Sequence, residues 1–114
     1  MKLRCTSGSL RLRVRKSDVA QLRTAGVVRE SLYFFDNQVF MFELMVADVT
    51  DIHSTFEQGC ITVRLPRCLA QQWMDSNEVG LECHAPLHIL IEKDFPCRHT
   101  NTDDRTDTFY ELEP

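Results

Sequence analysis

Apolar and polar residues alternate strictly in two short stretches of the chain, over residues 10–14 and 61–65. The apolar positions are Leu10, Leu12 and Val14 in the first stretch and Ile61, Val63 and Leu65 in the second. A period of two is typical of a strand that turns one face to the core and the other to solvent. Each stretch is therefore predicted to form a half-buried strand.

The two stretches belong to a longer internal similarity. They lie 51 residues apart, and at the same offset Gln21 falls on Gln72. Matching apolar patterns at a fixed offset indicate a duplicated unit. We predict two β-α-β-β repeats, at about residues 9–48 and 60–95, related by a pseudo-twofold axis.

A short helix is predicted after each alternating strand. In the first repeat, Ser17 is suited to the N-cap, Asp18 to the positive first turn and Gly26 to the helix end. In the second repeat, Pro66 is suited to the first helical turn. Trp73 lies on the apolar stripe of this second helix, and we expect it in the core rather than at a ligand site.

Further strands are predicted around these helices. They cover residues 27–35, 39–46, 78–84 and 87–95, with short strands at residues 2–5 and within 52–57. We expect a hairpin turn at Asp36–Gln38, because Asn37 tolerates a positive φ. The second pair of strands, after Trp73, is expected to form a hairpin as well.

Length and composition fit one domain with a real core. The chain has 114 residues, of which 43% are hydrophobic, a proportion typical of a folded domain. We predict an α+β fold over residues 1–96: a duplicated β-α-β-β unit that forms a mostly antiparallel sheet or a small barrel, with two short helices. Residues 97–114 are interpreted as an acidic C-terminal arm.

Charge is divided unevenly between the two ends of the chain. The first thirty residues carry eight Lys and Arg against two acidic residues, whereas the whole chain has a net charge of −4. The acidic residues of the arm are Asp103, Asp104, Asp107, Glu111 and Glu113. We expect the arm to fold back on the basic strand and to bury Phe109.

Arginines on the first alternating strand are the strongest candidate for a binding site. Arg11, Arg13 and Arg15 would project from one face about 7 Å apart, joined by Arg64 from the equivalent strand. Such a line of guanidiniums suits phosphates, including those of nucleic acid. The alternative is that acidic residues of neighbouring strands, or of the arm, neutralise these arginines. The acidic balance of the whole chain favours that alternative.

Cysteine and histidine residues raise the question of a metal. The five cysteines are odd in number and widely spaced, which predicts reduced thiols rather than a disulfide framework. Cys83, His84, Cys97 and His99 have the chemistry of zinc ligands, but their spacing matches no established zinc module. We expect buried cysteines and solvated histidines, with no metal and no cofactor.

Motifs for catalysis are lacking: the chain shows no Gly-rich phosphate loop, no G-x-S-x-G and no dinucleotide fingerprint. It also has no apolar run of about 18 residues, and its start lacks the apolar region of a signal peptide. We therefore expect a cytoplasmic, non-enzymatic module that binds a protein partner, away from membranes, as a monomer or homodimer. The alternative is a nucleic-acid-binding regulator that uses the arginines.

Two resemblances to known families add to this interpretation. The segment ITVRLPRCLAQQWMDSNEVGLECHAPLHILIEKD resembles the swapped-hairpin units of the AbrB and MazE group, which implies exchanged hairpins and a DNA-binding precedent. Over the whole chain, SLRLRVRKSDVAQL, WMDSNEVGLE, LIEKDFPC and the tail DDRTDTFYELEP are similar to a small uncharacterised bacterial family. That resemblance implies an orthologous bacterial protein and no particular activity.

Overall fold

The computed structural model describes residues 1–95 and 109–112, and this part of the chain contains eight strands and two α-helices. In chain order these are β1 (Lys2–Thr6), β2 (Ser9–Val14), α1 (Lys16–Ala25), β3 (Val27–Tyr33), β4 (Val39–Ala47), β5 (His53–Glu57), β6 (Cys60–Pro66), α2 (Arg67–Asp75), β7 (Gly80–Cys83) and β8 (His88–Lys93). Two single 3-10 turns lie at Phe35–Asn37 and Tyr110–Leu112.

The strands form two four-stranded sheets of the same design. The first sheet has the order β1-β2-β8-β7, and the second has the order β3-β4-β6-β5. In each, the two central strands are parallel and each edge strand is antiparallel to its neighbour. The predicted α+β class with mostly antiparallel strands is confirmed, as two open sheets rather than a small barrel.

Each sheet combines strands from both halves of the chain. β1 and β2 pair with β8 and β7, whereas β3 and β4 pair with β6 and β5. The element order therefore reads β-β-α-β-β before and after the connection between β4 and β5, which adds the short strands β1 and β5 to the predicted β-α-β-β units. The duplication of the sequence itself stays a prediction.

The ends of α1 follow from local hydrogen bonding. Asp18 lies in the first turn, as predicted, and accepts a hydrogen bond of 2.8 Å from the backbone N–H of Arg15. Arg15 rather than Ser17 is therefore the N-cap residue, because the Asp18 carboxylate satisfies the free N–H one turn back. Gly26 ends the helix with φ 78°, as predicted, and its N–H reaches the Leu22 carbonyl at 3.0 Å.

The second helix differs from the prediction only at its start. Pro66 is the N-cap of α2 and the last residue of β6, one position before the first helical turn. Trp73 is fully buried, as predicted, and its indole Nε1 donates to the Val79 carbonyl at 3.1 Å. This bond ties α2 to the chain that leads into β7.

One hydrophobic core draws on both sheets and both helices. Its buried members include Leu10, Leu12, Val14, Leu22, Val28, Phe42, Leu44, Val63, Leu65, Ala70, Trp73, Leu81, Ile89 and Ile91. The alternating positions of β2 and two of the three in β6 are among them, and the third, Ile61, is partly buried against the core. The period of two therefore identified the inward faces of these strands. Neither described helix is long and apolar enough to cross a membrane.

The expectation that Phe109 is buried is wrong. Its exposed fraction is 76%, and Leu112 is also exposed. The rest of the predicted arm, 97–108 and 113–114, lies outside the described residues. The physical reason for the error is that the basic strand already has acidic neighbours within its own sheet, as the next contacts show.

Candidate interaction surface

Arg11 and Arg13 lie on the solvent-facing side of β2 and face a carboxylate on β8. Glu92 stands directly opposite Arg13 in the parallel pair. The Arg13 Nε donates to Glu92 Oε1 at 2.9 Å, and the Arg11 Nε lies 3.4 Å from the same oxygen. Asp94 adds a weaker contact, 3.9 Å from Arg13 Nη1. Neighbouring strands thus supply the counter-charges for these two arginines.

The other two arginines of the predicted ladder lie elsewhere. Arg15 is at the start of α1, with its Nε 3.7 Å from the Asp18 carboxylate. Arg64 belongs to β6 in the second sheet and donates to the Thr55 hydroxyl at 2.9 Å. The four side chains do not form one line, so we do not propose a nucleic-acid site from them.

The structure describes two of the four predicted metal candidates, Cys83 and His84, and these two point to different sides. Cys83 packs against the core, whereas the neighbouring His84 is exposed, because adjacent residues of an extended chain point to opposite sides. Cys97 and His99 lie outside the described residues. His84 instead lies beside Glu82 and His88, a grouping that the alternation of side chains along the two arms of the β7–β8 hairpin would have indicated.

The most conspicuous surface is the tip of the hairpin between β3 and β4. Five apolar side chains are exposed there: Leu32, Tyr33, Phe34, Phe35 and Val39. The exposed fraction is 81% for Tyr33, 57% for Phe34 and 90% for Phe35. We call these five residues the aromatic tip. Large apolar side chains grouped on a surface usually mark a place where another molecule binds.

The aromatic tip is held in place by its turn. Asp36 and Asn37 have φ values of 62° and 59°, which confirms the prediction that a left-handed turn lies here. Asx side chains are among the few that adopt this conformation readily. The Phe34 N–H donates to the Gln38 carbonyl at 2.7 Å and closes the turn. The aromatic side chains are therefore carried by the last residue of β3, Tyr33, and by the closed turn that follows it.

An apolar groove of about 530 Å³ opens nearby, between the ends of the two sheets. It is lined by Cys5, Ser9, Leu10, Phe40, Ser54, Thr55, Phe56, Ile61 and Leu87. Leu32 of the tip is paired directly with Phe40 in the β3–β4 register, so these two side chains share one face of the sheet. Leu32 therefore connects the aromatic tip to the groove, whereas Tyr33 and its register partner Val39 lie on the other face of the sheet.

The charged residues within the two stretches of chain that carry the tip and the β5–β6 side of the groove are acidic, and Arg64, just beyond them on β6, contacts the groove residue Thr55 through its hydroxyl. Residues 31–40 contain Asp36 as their single charged residue, and residues 53–63 contain Glu57, with no Lys or Arg in either stretch. Asp36 lies in the turn of the tip, and Glu57 follows Phe56 on the edge strand β5. The surface thus offers apolar contact with an acidic margin.

Sequence analysis did not identify the aromatic tip. The predicted strand over residues 27–35 ends earlier in the structure, at Tyr33, and Phe34 and Phe35 belong to the turn region. The missed signal is the loss of alternation over Leu32–Phe35 immediately before an Asp-Asn turn. A strand with one buried face would alternate there, and a run without alternation places some apolar side chains in solvent.

Comparison with known proteins gives one match. A family model, described as a family of unknown function, covers residues 1–112 of the chain. No curated protein and no solved structure matches the chain. The whole-chain resemblance to a family without an assigned activity is confirmed, and the resemblance of each half to the AbrB and MazE group stays a prediction.

Proposed function

Because the chain belongs to DUF7009, a family of unknown function, we propose its function from the geometry of its surface. The protein is a small non-enzymatic module that binds an apolar segment of a partner protein through the aromatic tip and the groove. The observation that carries this proposal is the exposure of five large apolar side chains at the tip of one hairpin.

Exposing this surface to water has a cost that binding would remove. A fully buried aromatic side chain gains roughly 1.5–3 kcal/mol relative to an exposed one. Phe and Tyr are also enriched in the buried centres of protein interfaces. The hydroxyls of Ser54 and Thr55 in the groove lining provide hydrogen-bonding groups that would orient a bound chain.

Charge selects the kind of partner. Asp36 and Glu57 lie at the margin of the surface, without a Lys or Arg in the same stretches. A second copy of this chain would bring like charges together at the contact, which is unfavourable. We therefore propose a partner segment that is apolar in the middle and flanked by Lys or Arg.

A panel of synthetic peptides tests the proposal. Each peptide has the same apolar centre, flanked by Lys and Arg in one series and by Asp and Glu in the other. Binding is measured by fluorescence anisotropy on the wild type, on the double variant Phe34→Ser with Phe35→Ser, and on Val79→Ser. Val79 is an exposed apolar residue outside the tip and the groove, so it is the matched control.

The proposal predicts that basic-flanked peptides bind the wild type and Val79→Ser equally well. The double variant should bind them at least about tenfold more weakly, because loss of one interface anchor typically costs more than 1 kcal/mol. Equal binding to all three proteins would contradict the proposal. Light scattering that shows a dimer broken by the double variant would assign the surface to a second copy of the chain and also contradict it.

A further inference from the structure

Three potential metal ligands meet at the end of the hairpin formed by β7 and β8. Glu82 belongs to β7, His88 begins β8, and His84 directly follows the last residue of β7. Glu82 and His84 are two positions apart, and Glu82 is paired with Leu90, two positions beyond His88. The period of two on both strands therefore puts all three side chains on the same side of the hairpin.

The side chains converge on one carboxylate oxygen. His88 Nε2 donates to Glu82 Oε2 at 2.7 Å, and His84 Nε2 lies 3.9 Å from the same oxygen. The two imidazole rings are stacked, with centroids 5.2 Å apart and planes 6° from parallel. One ligand atom from each residue lies within 4.8 Å of the others, so the three groups share one small volume.

The distances are close to those of a bound metal. Tetrahedral zinc with bonds of about 2.0–2.2 Å requires ligand atoms about 3.3 Å apart. The two separations from Glu82 Oε2, 2.7 and 3.9 Å, lie on either side of this value, and each differs from it by about 0.6 Å. Side-chain rotation alone can supply movements of this size, since all three residues are at or near the surface.

We propose that Glu82, His84 and His88 form a zinc-binding site. Two imidazoles and one carboxylate are a ligand set that zinc accepts, and water would complete the coordination. This proposal revises the sequence-based expectation of a protein without a metal. It uses His84 from the predicted set and replaces Cys83, which packs against the core, with residues of the exposed side.

Isothermal titration with zinc chloride tests the site. The wild type is compared with His84→Ala, His88→Ala and Glu82→Gln. Two control variants retain the site: His53→Ala changes a histidine of the second sheet, and Cys83→Ser removes the nearest described thiol in sequence. In parallel, zinc is added to labelled protein while the imidazole signals are followed by NMR, which also confirms that each variant is folded.

We expect one zinc per chain for the wild type and both controls. Each ligand variant should bind at least about tenfold more weakly, the lower bound of the loss seen when even a supporting partner of a metal ligand is removed. The His84 and His88 imidazole signals should shift while that of His53 does not. Absence of saturable binding, or a stoichiometric zinc that survives His84→Ala and His88→Ala, would overturn the proposal.

Discussion

Glu43 shows how a single charged residue is accommodated on a sheet surface. It lies on β4 but has an exposed fraction of only 7%. Its carboxylate accepts a hydrogen bond of 2.8 Å from the Thr62 hydroxyl and lies 2.7 Å from Arg29 Nη2. Both partners stand directly beside it in the register of the second sheet. A buried carboxylate is tolerated when its oxygens are paired in this way.

These partners determine how Glu43 responds to pH. Burial alone would raise its pKa, but the hydrogen bonds from Thr62 and Arg29 and the charges of Arg29 and Arg64 lower it below the ordinary value of 4.5. A pKa depressed by folding contributes stability above the unfolded-state pKa. That contribution is lost as the pH falls through the folded-state pKa.

Glu43→Gln should therefore destabilise the protein in a pH-dependent manner. At pH 7 we expect the free energy of unfolding to fall by about 1–2 kcal/mol, because a charged hydrogen-bond acceptor is replaced by a neutral one. Well below pH 4.5 the variant and the wild type should have the same free energy of unfolding, because wild-type Glu43 is then also neutral. Urea denaturation at both pH values measures this, with Glu57→Gln as an exposed control. An equal loss at both pH values would contradict the account.

At the scale of secondary-structure elements, the end of α2 is fixed from another strand. Lys93 of β8 donates to the carbonyls of Trp73 and Ser76, at 2.9 and 2.8 Å. Its Nζ also lies 5.7 Å from the centre of the Trp73 ring. A cation at the C-terminal end of a helix satisfies free carbonyls and offsets the negative end of the helix dipole. Lys93 thus connects the helix to the first sheet.

We expect Lys93→Met to lower the free energy of unfolding by about 1 kcal/mol, since methionine keeps most of the stem and loses these contacts. Lys2→Met is the matched control, because Lys2 is exposed and its ion pair with Asp94 is 3.5 Å long. Such exposed pairs contribute little. Thermal unfolding followed by circular dichroism gives both values. Equal effects of the two substitutions would show that Lys93 does not stabilise the helix end.

Elements with a strong local signal were predictable from the sequence. The strict alternation in β2 and β6, Gly26 at the end of α1 and the turn at Asp36 and Asn37 all appear where local chemistry places them. Side-chain partners were less predictable. The contact between Arg13 and Glu92 joins residues 79 positions apart, so it depends on the pairing of β2 with β8, which no local pattern encodes.

The same limit applies to the candidate surfaces. Glu82, His84 and His88 are close in sequence. The alternation of side chains along the two arms of a hairpin is enough to predict that all three lie on one face. The groove between the sheets could not be derived in this way, because Leu10 and Phe56 come from strands of two different sheets and Leu87 from the segment before β8. Their proximity is a property of the complete fold.

At the scale of the whole molecule, the two halves of the chain depend on each other. The central parallel contacts, β2 with β8 and β4 with β6, each join the first half to the second. Without these contacts each half retains only two-stranded hairpins. Isolated hairpins are marginally stable at best in water. Neither half should therefore fold alone as a monomer.

Splitting the chain between β4 and β5 tests this dependence. Fragments 1–49 and 50–114 should each lack the near-ultraviolet circular dichroism signal of packed aromatic side chains. An equimolar mixture should recover it, because both sheets can then form. Trp73, buried in the intact protein, is a convenient probe in the second fragment. A fragment that folds alone as a monomer would contradict the topology of mixed sheets.

The central claim, that the aromatic tip binds a partner protein, is tested most directly by photo-crosslinking in the native cell. A photoreactive phenylalanine analogue replaces Phe35 in one variant and Val79, an exposed residue outside the surface, in another. The account predicts a discrete adduct from position 35, attached within an apolar segment flanked by Lys or Arg, and its loss when Phe34→Ser is added. No adduct from position 35, or the same adducts from both positions, would contradict it.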